Sequence, residues 1–117
     1  MSVNFTVAGS HTDFDDPSCY LNLANMNAAE LLRWLDIDAN DDDLFGEISA
    51  RELAARCRRR LWDVARNYDP EIAARVDSEP GRATAIWCGR RPGYLRDKTA
   101  ELLELAHRAG QGMIQWA

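Results

Sequence analysis

Residues 49–67 carry a strong helix signal, and this signal fixes one element around which the rest of the chain must pack. Ser49 is followed three residues later by Glu52, and this capping box predicts a helix that begins at residue 50. Apolar side chains then recur at helical spacing along one side, and these are expected to be core: Leu53, Cys57, Leu61, Val64 and Tyr68. The pattern predicts a helix over residues 50–67 whose apolar side needs a second layer of structure.

Further helix and strand signals lie on both sides of this helix. Val3, Phe5 and Val7 alternate with polar residues, which predicts a half-buried strand over residues 3–7. Asn25 or Asn27 is expected to cap a helix with the apolar stripe Ala28, Leu31, Leu32 and Leu35. The other predicted elements are a strand over 20–23, an extended piece within 44–48, a short helix over 70–76, a strand over 83–88, a helix over 94–109 and a strand over 113–116.

The chain length and composition predict one domain over residues 1–117. A chain of 117 residues is large enough for one modest core, and its 46% hydrophobic and 28% charged residues are typical of globular proteins. The predicted fold is α+β, with three main helices packed on a small, mostly antiparallel sheet. Three cysteines lie far apart without a CxxC pair, and no secretion or membrane segment is recognised, so the chain is predicted to be cytoplasmic with reduced thiols.

The two halves of the chain differ in charge. Residues 1–50 contain ten acidic residues and one basic residue, whereas residues 51–117 contain thirteen basic and nine acidic residues. Only Lys98 among the basic residues is lysine; arginine favours bidentate or stacked contacts, although a GC-rich genome produces the same bias. The isoelectric point of 4.9 argues against nucleic acid as the partner and favours another protein.

An arginine-rich run over residues 56–62 is the first candidate site. Trp62 falls outside the apolar side of the predicted helix. The arginines at helical spacing from it are Arg58, Arg59 and Arg66, and their guanidinium groups are placed to flank or stack on the indole. An exposed tryptophan among arginines is typical of a protein–protein anchor or of a phosphate and base-stacking site. The structural alternative is that another part of the chain covers Trp62.

Residues 36–47 carry oxygen-bearing side chains at the spacing of a calcium-binding EF-hand loop. The candidate ligands are Asp36, Asp38, Asn40, Asp42 and Glu47. Ca²⁺ takes six or more oxygen ligands, so the residue types suit the ion. The sequence departs from the EF-hand pattern at Asp41, where the sharp turn needs glycine, and no second loop of this kind occurs. A solvated acidic connection between two helices is the alternative.

A predicted strand-to-helix junction over residues 87–94 is a third candidate. Its Arg90 and Arg91, next to the free amides of a helix N-terminus, suit an anion or extend the Trp62 surface, while a structural turn is the alternative. Cys88 with His11 or His107 is the candidate nucleophile–base pair of a thiol-dependent enzyme, and a buried structural cysteine is its alternative. No phosphate-loop or dinucleotide motif occurs, so no cofactor is predicted.

Three segments of the chain together resemble a family of small proteins of bacterial and tailed-phage genomes for which no activity is known. The segments are residues 21–29 (LNLANMNAA), 46–48 (GEI) and 88–95 (CGRRPGYL). The resemblance implies an accessory protein that binds another macromolecule, and it transfers no catalytic residue to this chain.

The sequence thus predicts a non-enzymatic interaction protein whose contact surface is the Arg and Trp62 side of the middle helix. The alternatives are a calcium-binding module built on residues 36–47 and a small nucleic-acid-binding protein.

Overall fold

A computed structural model describes residues 2–39, 44–63, 68–77, 85–87 and 89–117. Within these residues the chain forms three α-helices and six β-strands, which confirms the predicted α+β class. A single 3₁₀ turn, Pro17–Cys19, precedes the second strand. The elements in chain order are β1 (Ser2–Val7), β2 (Tyr20–Ala24), α1 (Asn25–Trp34), β3 (Gly46–Ser49), α2 (Ala50–Trp62), β4 (Arg75–Asp77), β5 (Ala85–Trp87), α3 (Tyr94–Ala109) and β6 (Met113–Trp116).

Four strands form an antiparallel sheet in the order β2–β1–β6–β3, here called the main sheet. Side chains alternate between the two faces of each strand, so residues in register share a face. One row in register crosses all four strands and belongs to the helix-covered face: Leu21, Phe5, Trp116 and Gly46. The predicted strands over 3–7, 20–23 and 113–116 are therefore confirmed, and together with β3 they form one face of the core.

Gly46 leaves the space that the indole of Trp116 occupies on the main sheet. A Cβ atom at Gly46 would lie 2.6 Å from Cζ2 of Trp116, closer than real Cβ atoms approach other heavy atoms. The indole also packs against Phe5, with ring centroids 6.0 Å apart. The aromatic side chain of β6 therefore contacts both of its neighbouring strands, β1 and β3.

The three helices cover this face of the main sheet with their apolar sides. Because β3 and β6 pair antiparallel, and α2 follows β3 while α3 precedes β6, α2 and α3 run antiparallel to each other. The helical side chains buried in the core are Ala28, Leu31, Leu32 and Trp34 of α1, Ala50, Leu53, Ala54 and Cys57 of α2, and Leu95, Leu102, Leu105 and Ala106 of α3. The apolar spacing in the sequence predicts most of this set, including the stripe of α1.

The two predicted helix starts have different outcomes. The Ser49 hydroxyl accepts the Glu52 amide at 3.1 Å, as the capping box predicts, but the Glu52 carboxylate pairs with Arg56 at 3.0 Å. The prediction that Asn25 or Asn27 caps α1 is wrong. The main chain of β2 continues directly into α1, so Ala24 occupies the cap position without a side-chain hydrogen bond and Asn27 is buried inside the helix.

Helix α2 is shorter than predicted, because it ends at Trp62 and not at residue 67. Asp63 leaves the helical conformation with φ −86° and ψ 86°, and its negative charge is unfavourable beside the free carbonyls of a helix C-terminus. Tyr68 was predicted to be core but is exposed, since it lies beyond the end of the helix. Leu61 is half-buried, and Val64 lies outside the described residues.

The prediction of a short helix over residues 70–76 is wrong. Strand β4 lies there instead and pairs antiparallel with β5, which confirms the core of the strand predicted over 83–88. The backbones of Ile72 and Arg90 exchange two hydrogen bonds of 2.7 and 2.8 Å and extend this two-stranded ribbon. Pairing with a distant segment therefore overrides the local helix-start signal of Asp69 and Pro70.

Candidate Arg and Trp interface

Trp62 is the last residue of α2 and faces solvent. Its side chain is 84% exposed, although indole is among the largest apolar groups in proteins. The helix rotates about 100° per residue, which places Trp62 on the same side as Arg51 and Arg58 and away from the buried Leu53 and Cys57. The structure thus leaves the large apolar group uncovered, as the sequence pattern predicts.

Arg58 and Arg59 are also exposed on α2, and with Trp62 they make up the surface here called the Arg/Trp62 face. The guanidinium Nη2 of Arg58 lies 3.3 Å from Nε2 of His107 on α3, so Arg58 leans toward that helix. Arg66, which the sequence places on the same surface, lies outside the described residues. The face that the structure describes therefore consists of one indole and two guanidinium groups.

Sequence reasoning missed the contact of Arg60 with the other tryptophan nearby. The guanidinium carbon of Arg60 lies 3.8 Å from the ring centroid of Trp34, the last residue of α1. This cation–π contact joins α1 to α2 and covers the Trp34 ring, which is buried. The consecutive arginines therefore have different roles, because Arg60 stabilises the fold while Arg58 and Arg59 remain exposed at the surface.

The structure places Arg90 and Arg91 in ion-pair and backbone contacts at the start of α3. Arg91 forms a salt bridge with Asp97, and its guanidinium carbon lies 5.9 Å from the ring centroid of Tyr94. Arg90 pairs through its backbone with Ile72, and its Nε is buried with no hydrogen-bond partner among the described residues. Arg91 is exposed, but no described contact connects either arginine with Trp62.

The candidate calcium ligands do not meet within the described part of the chain. Asp36 and Asp38 are exposed after α1, and Glu47 is an exposed residue of β3 opposite Gln115. The carbonyl of Asp36 accepts a 2.6 Å hydrogen bond from Arg56. The other two candidates, Asn40 and Asp42, lie outside the described residues. Among the described residues, no group of three or more His, Cys, Asp or Glu is placed to hold a metal ion.

A groove between α2 and α3 is a feature that sequence reasoning did not find. It has a volume of about 650 Å³ and lies where the first half of α2 meets the end of α3. Arg51, Arg58 and His107 line it together with small side chains. The seven-residue spacing of the two arginines was a signal for one side of this groove, but the approach of His107 depends on the packing of α3.

The thiols have different surroundings. Burial raises the pKa of the Cys57 thiol to about 12, so it is protonated and enclosed at neutral pH. Cys19 is half-buried, and its Sγ lies 3.6 Å from Nη1 of Arg108. Cys19, Arg108 and His11 line one pocket of about 160 Å³.

Asp16 lies beside this pocket region in the chain. Hydrogen bonds from Ser18, with smaller contributions from Cys19 and Arg108, lower the pKa of the Asp16 carboxyl. Cys88, the predicted nucleophile, lies outside the described residues, and His107 faces Arg58.

Comparisons with known proteins identify no relative of this chain. A scan against protein-family models finds no match, and searches of curated proteins and of solved structures find none. None of the helices in the described residues is long and apolar enough to cross a bilayer. The function must therefore be inferred from the surface of the chain itself.

Proposed function

We propose that this chain is a non-enzymatic protein that binds another protein through the Arg/Trp62 face, acting in the cytoplasm. The observation that carries the proposal is the 84% exposure of Trp62 at the end of a helix. Leaving an indole in water forgoes roughly 2 kcal/mol or more of burial free energy, which a partner recovers on binding. Tryptophan and arginine are also the residues most often found at the energetic centre of protein interfaces.

Neighbouring groups hold this face in place, which favours binding by a preformed surface. The cation–π contact of Arg60 with Trp34 fixes the last turn of α2 against α1. Arg56 donates to the carbonyl oxygens of Leu35 and Asp36 at 3.3 and 2.6 Å and ties the same two helices together. A surface on a rigid element loses less conformational entropy when a partner binds.

A protein partner fits the charge of the chain better than nucleic acid does. Residues 1–50 carry ten acidic residues against one basic residue, and this half repels a polyanion. The exposed arginines that the structure describes on this side of α2 are three, Arg51, Arg58 and Arg59, fewer than the roughly 6–10 phosphate contacts of a typical nucleic-acid-binding protein. The expected partner is therefore a protein that presents an apolar pocket for the indole beside acidic groups.

The test is affinity capture from a lysate of the producing cells, with the captured polypeptides identified by mass spectrometry. Wild type is compared with Trp62→Ala and Arg59→Glu. We expect each variant to lose a specific polypeptide that wild type retains, because an anchor and a neighbouring charge are removed. The melting temperature of each variant should stay close to that of wild type, since both side chains are exposed.

Tyr68→Ala is the matched control, because Tyr68 is an equally exposed aromatic side chain outside α2. It should capture the same polypeptide as wild type. Equal capture by wild type and all three variants would contradict the proposal. Loss of the captured polypeptides after nuclease treatment would also contradict it, because they would then be bound through nucleic acid.

A further inference from the structure

We infer that the groove between α2 and α3 binds an acidic segment of the partner protein, an inference that rests on the proposed function. The groove lies on the side of α2 that carries Arg51, Arg58 and Trp62. These residues are seven and four positions apart and therefore follow one line along the helix. The groove and the Arg/Trp62 face share Arg58 and form a continuous surface.

The floor of the groove is made of small residues. Ala50 and Ala54 of α2 and Ala106 of α3 lie at its base, and all three are buried. Small side chains at a helix–helix contact let a ligand approach the helix backbones closely. The volume of about 650 Å³ exceeds what a single carboxylate or phosphate ion fills and suits several residues of a peptide.

The charge of the groove is of one sign. Its charged side chains are Arg51 and Arg58 of α2, His107 lines it from α3, and none of the nine lining residues in the described part of the chain carries a carboxylate. Three arginines elsewhere in the described chain are paired with acids, namely Arg33 with Glu30, Arg56 with Glu52 and Arg91 with Asp97. The described contact of the Arg58 guanidinium is instead with a ring nitrogen of His107, 3.3 Å away. This arrangement is complementary to carboxylate groups, which accept bidentate hydrogen bonds from arginine.

The spacing of the arginines predicts the spacing of the acids. Seven residues of helix place Arg51 and Arg58 about 10 Å apart along the axis. A peptide in the extended polyproline II conformation advances about 3.1 Å per residue with three residues per turn. Two carboxylates three residues apart therefore lie on one side of the peptide, about 9 Å apart, and match the two guanidinium groups. The inferred ligand is thus an extended segment with two glutamates at that spacing, and an apolar residue beyond them reaches Trp62.

The test uses two fluorescein-labelled peptides of about ten residues, one with two glutamates three positions apart and one with glutamines in their place. Fluorescence anisotropy is recorded at low salt, where charge contributes most. We expect saturable binding of the glutamate peptide only. Arg51→Gln and Arg58→Gln should each weaken it about tenfold, the effect of losing one charge-assisted contact. Arg96→Gln, which alters an exposed arginine on α3 outside the groove, should bind as wild type does.

Several outcomes would overturn the inference. In the peptide assay they are equal binding of the two peptides, no saturable binding of the glutamate peptide, or unchanged affinity in Arg51→Gln and Arg58→Gln. Tighter binding of a single-stranded oligothymidylate than of the glutamate peptide would overturn it as well. So would a dimer of this chain, seen in sedimentation, that dissociates when the peptide is added. Circular dichroism of each variant checks that the fold is retained.

The failure of this inference is distinguishable from the failure of the proposed function. If Trp62→Ala loses the captured protein while Arg51→Gln keeps it, the interaction stands and the groove is not its acidic site. If the glutamate peptide binds the groove but Trp62→Ala and Arg59→Glu capture the same proteins as wild type, the Arg/Trp62 proposal fails.

Discussion

Two tryptophans next to the same run of arginines have opposite surroundings. Trp34 is 8% exposed beneath the guanidinium of Arg60, whereas Trp62 is 84% exposed two residues after that arginine. Two residues of helix correspond to a rotation of about 200°, so Arg60 and Trp62 point to opposite sides of α2. The difference teaches that consecutive arginines in a helix have separate roles, and that only geometry tells which of them a partner can reach.

The largest expected effect separates the two tryptophans by stability. Trp34→Ala removes a buried ring between α1 and α2 and should lower the free energy of unfolding by about 3–5 kcal/mol. Trp62→Ala should change it by about 0.5 kcal/mol or less, because the exposed ring contributes little packing. Urea unfolding followed by circular dichroism measures both. Similar losses in the two variants would show that Trp62 belongs to the core.

The second prediction concerns the buried side of α2 and uses pH. Burial raises the pKa of Cys57 from its ordinary value of 9.0 to about 12. Between these values the unfolded chain releases the thiol proton and the folded chain retains it, so stability should fall as pH rises, by about 1.4 kcal/mol per pH unit at most. Below pH 9 the thiol is protonated in both states and should contribute no pH dependence.

Cys57→Ala is the control for this pH effect. Its stability at neutral pH is lower because a buried group is lost, but its stability should fall less steeply above pH 9 than that of wild type. Urea unfolding of both proteins from pH 8 upward makes the comparison, and other groups that titrate there cancel in the difference. Parallel curves would mean that Cys57 ionises freely in the folded state.

The smallest predicted effect separates Arg60 from Arg59. Arg60→Ala should cost about 1 kcal/mol, since it removes a cation–π contact from a buried ring, whereas Arg59→Ala should stay within about 0.5 kcal/mol of wild type. Combining Arg60→Ala with Trp34→Ala should give less than the sum of the single losses, because both variants break the same contact. Additive losses would show that the two side chains act independently.

Local patterns in the sequence predict most of the main fold. The alternation of residues 3–7, the apolar stripe of α1 and the hydroxyl cap of Ser49 each depend on neighbours within a few positions, and each is found in the structure. The α+β class follows because these amphipathic elements need one shared core. The helix wrongly predicted over residues 70–76 shows the limit of local patterns, because β4 forms there through its pairing with the distant β5.

The candidate site was predictable only where one helix defines it. The outward position of Trp62 follows from the 100° rotation per residue, and the structure agrees. The contacts of the arginines with Trp34 and His107 join residues that lie 26 and 49 positions apart, and no spacing rule links such pairs. The pocket that brings Cys19 near His11 and Arg108 likewise depends on how α3 packs beside the 3₁₀ turn.

The place of β6 in the main sheet has a consequence for biosynthesis. Of the four strands of the main sheet, β6 is synthesised last, yet it lies between β1 and β3 and hydrogen-bonds to both. The two halves of the sheet therefore wait for residues 113–116 before they can join, and this long-range closure predicts folding slower than that of a helical bundle of similar size. Until then the inner apolar faces of β1 and β3 stay open, and a nascent chain stalled before residue 113 would be a substrate for chaperones.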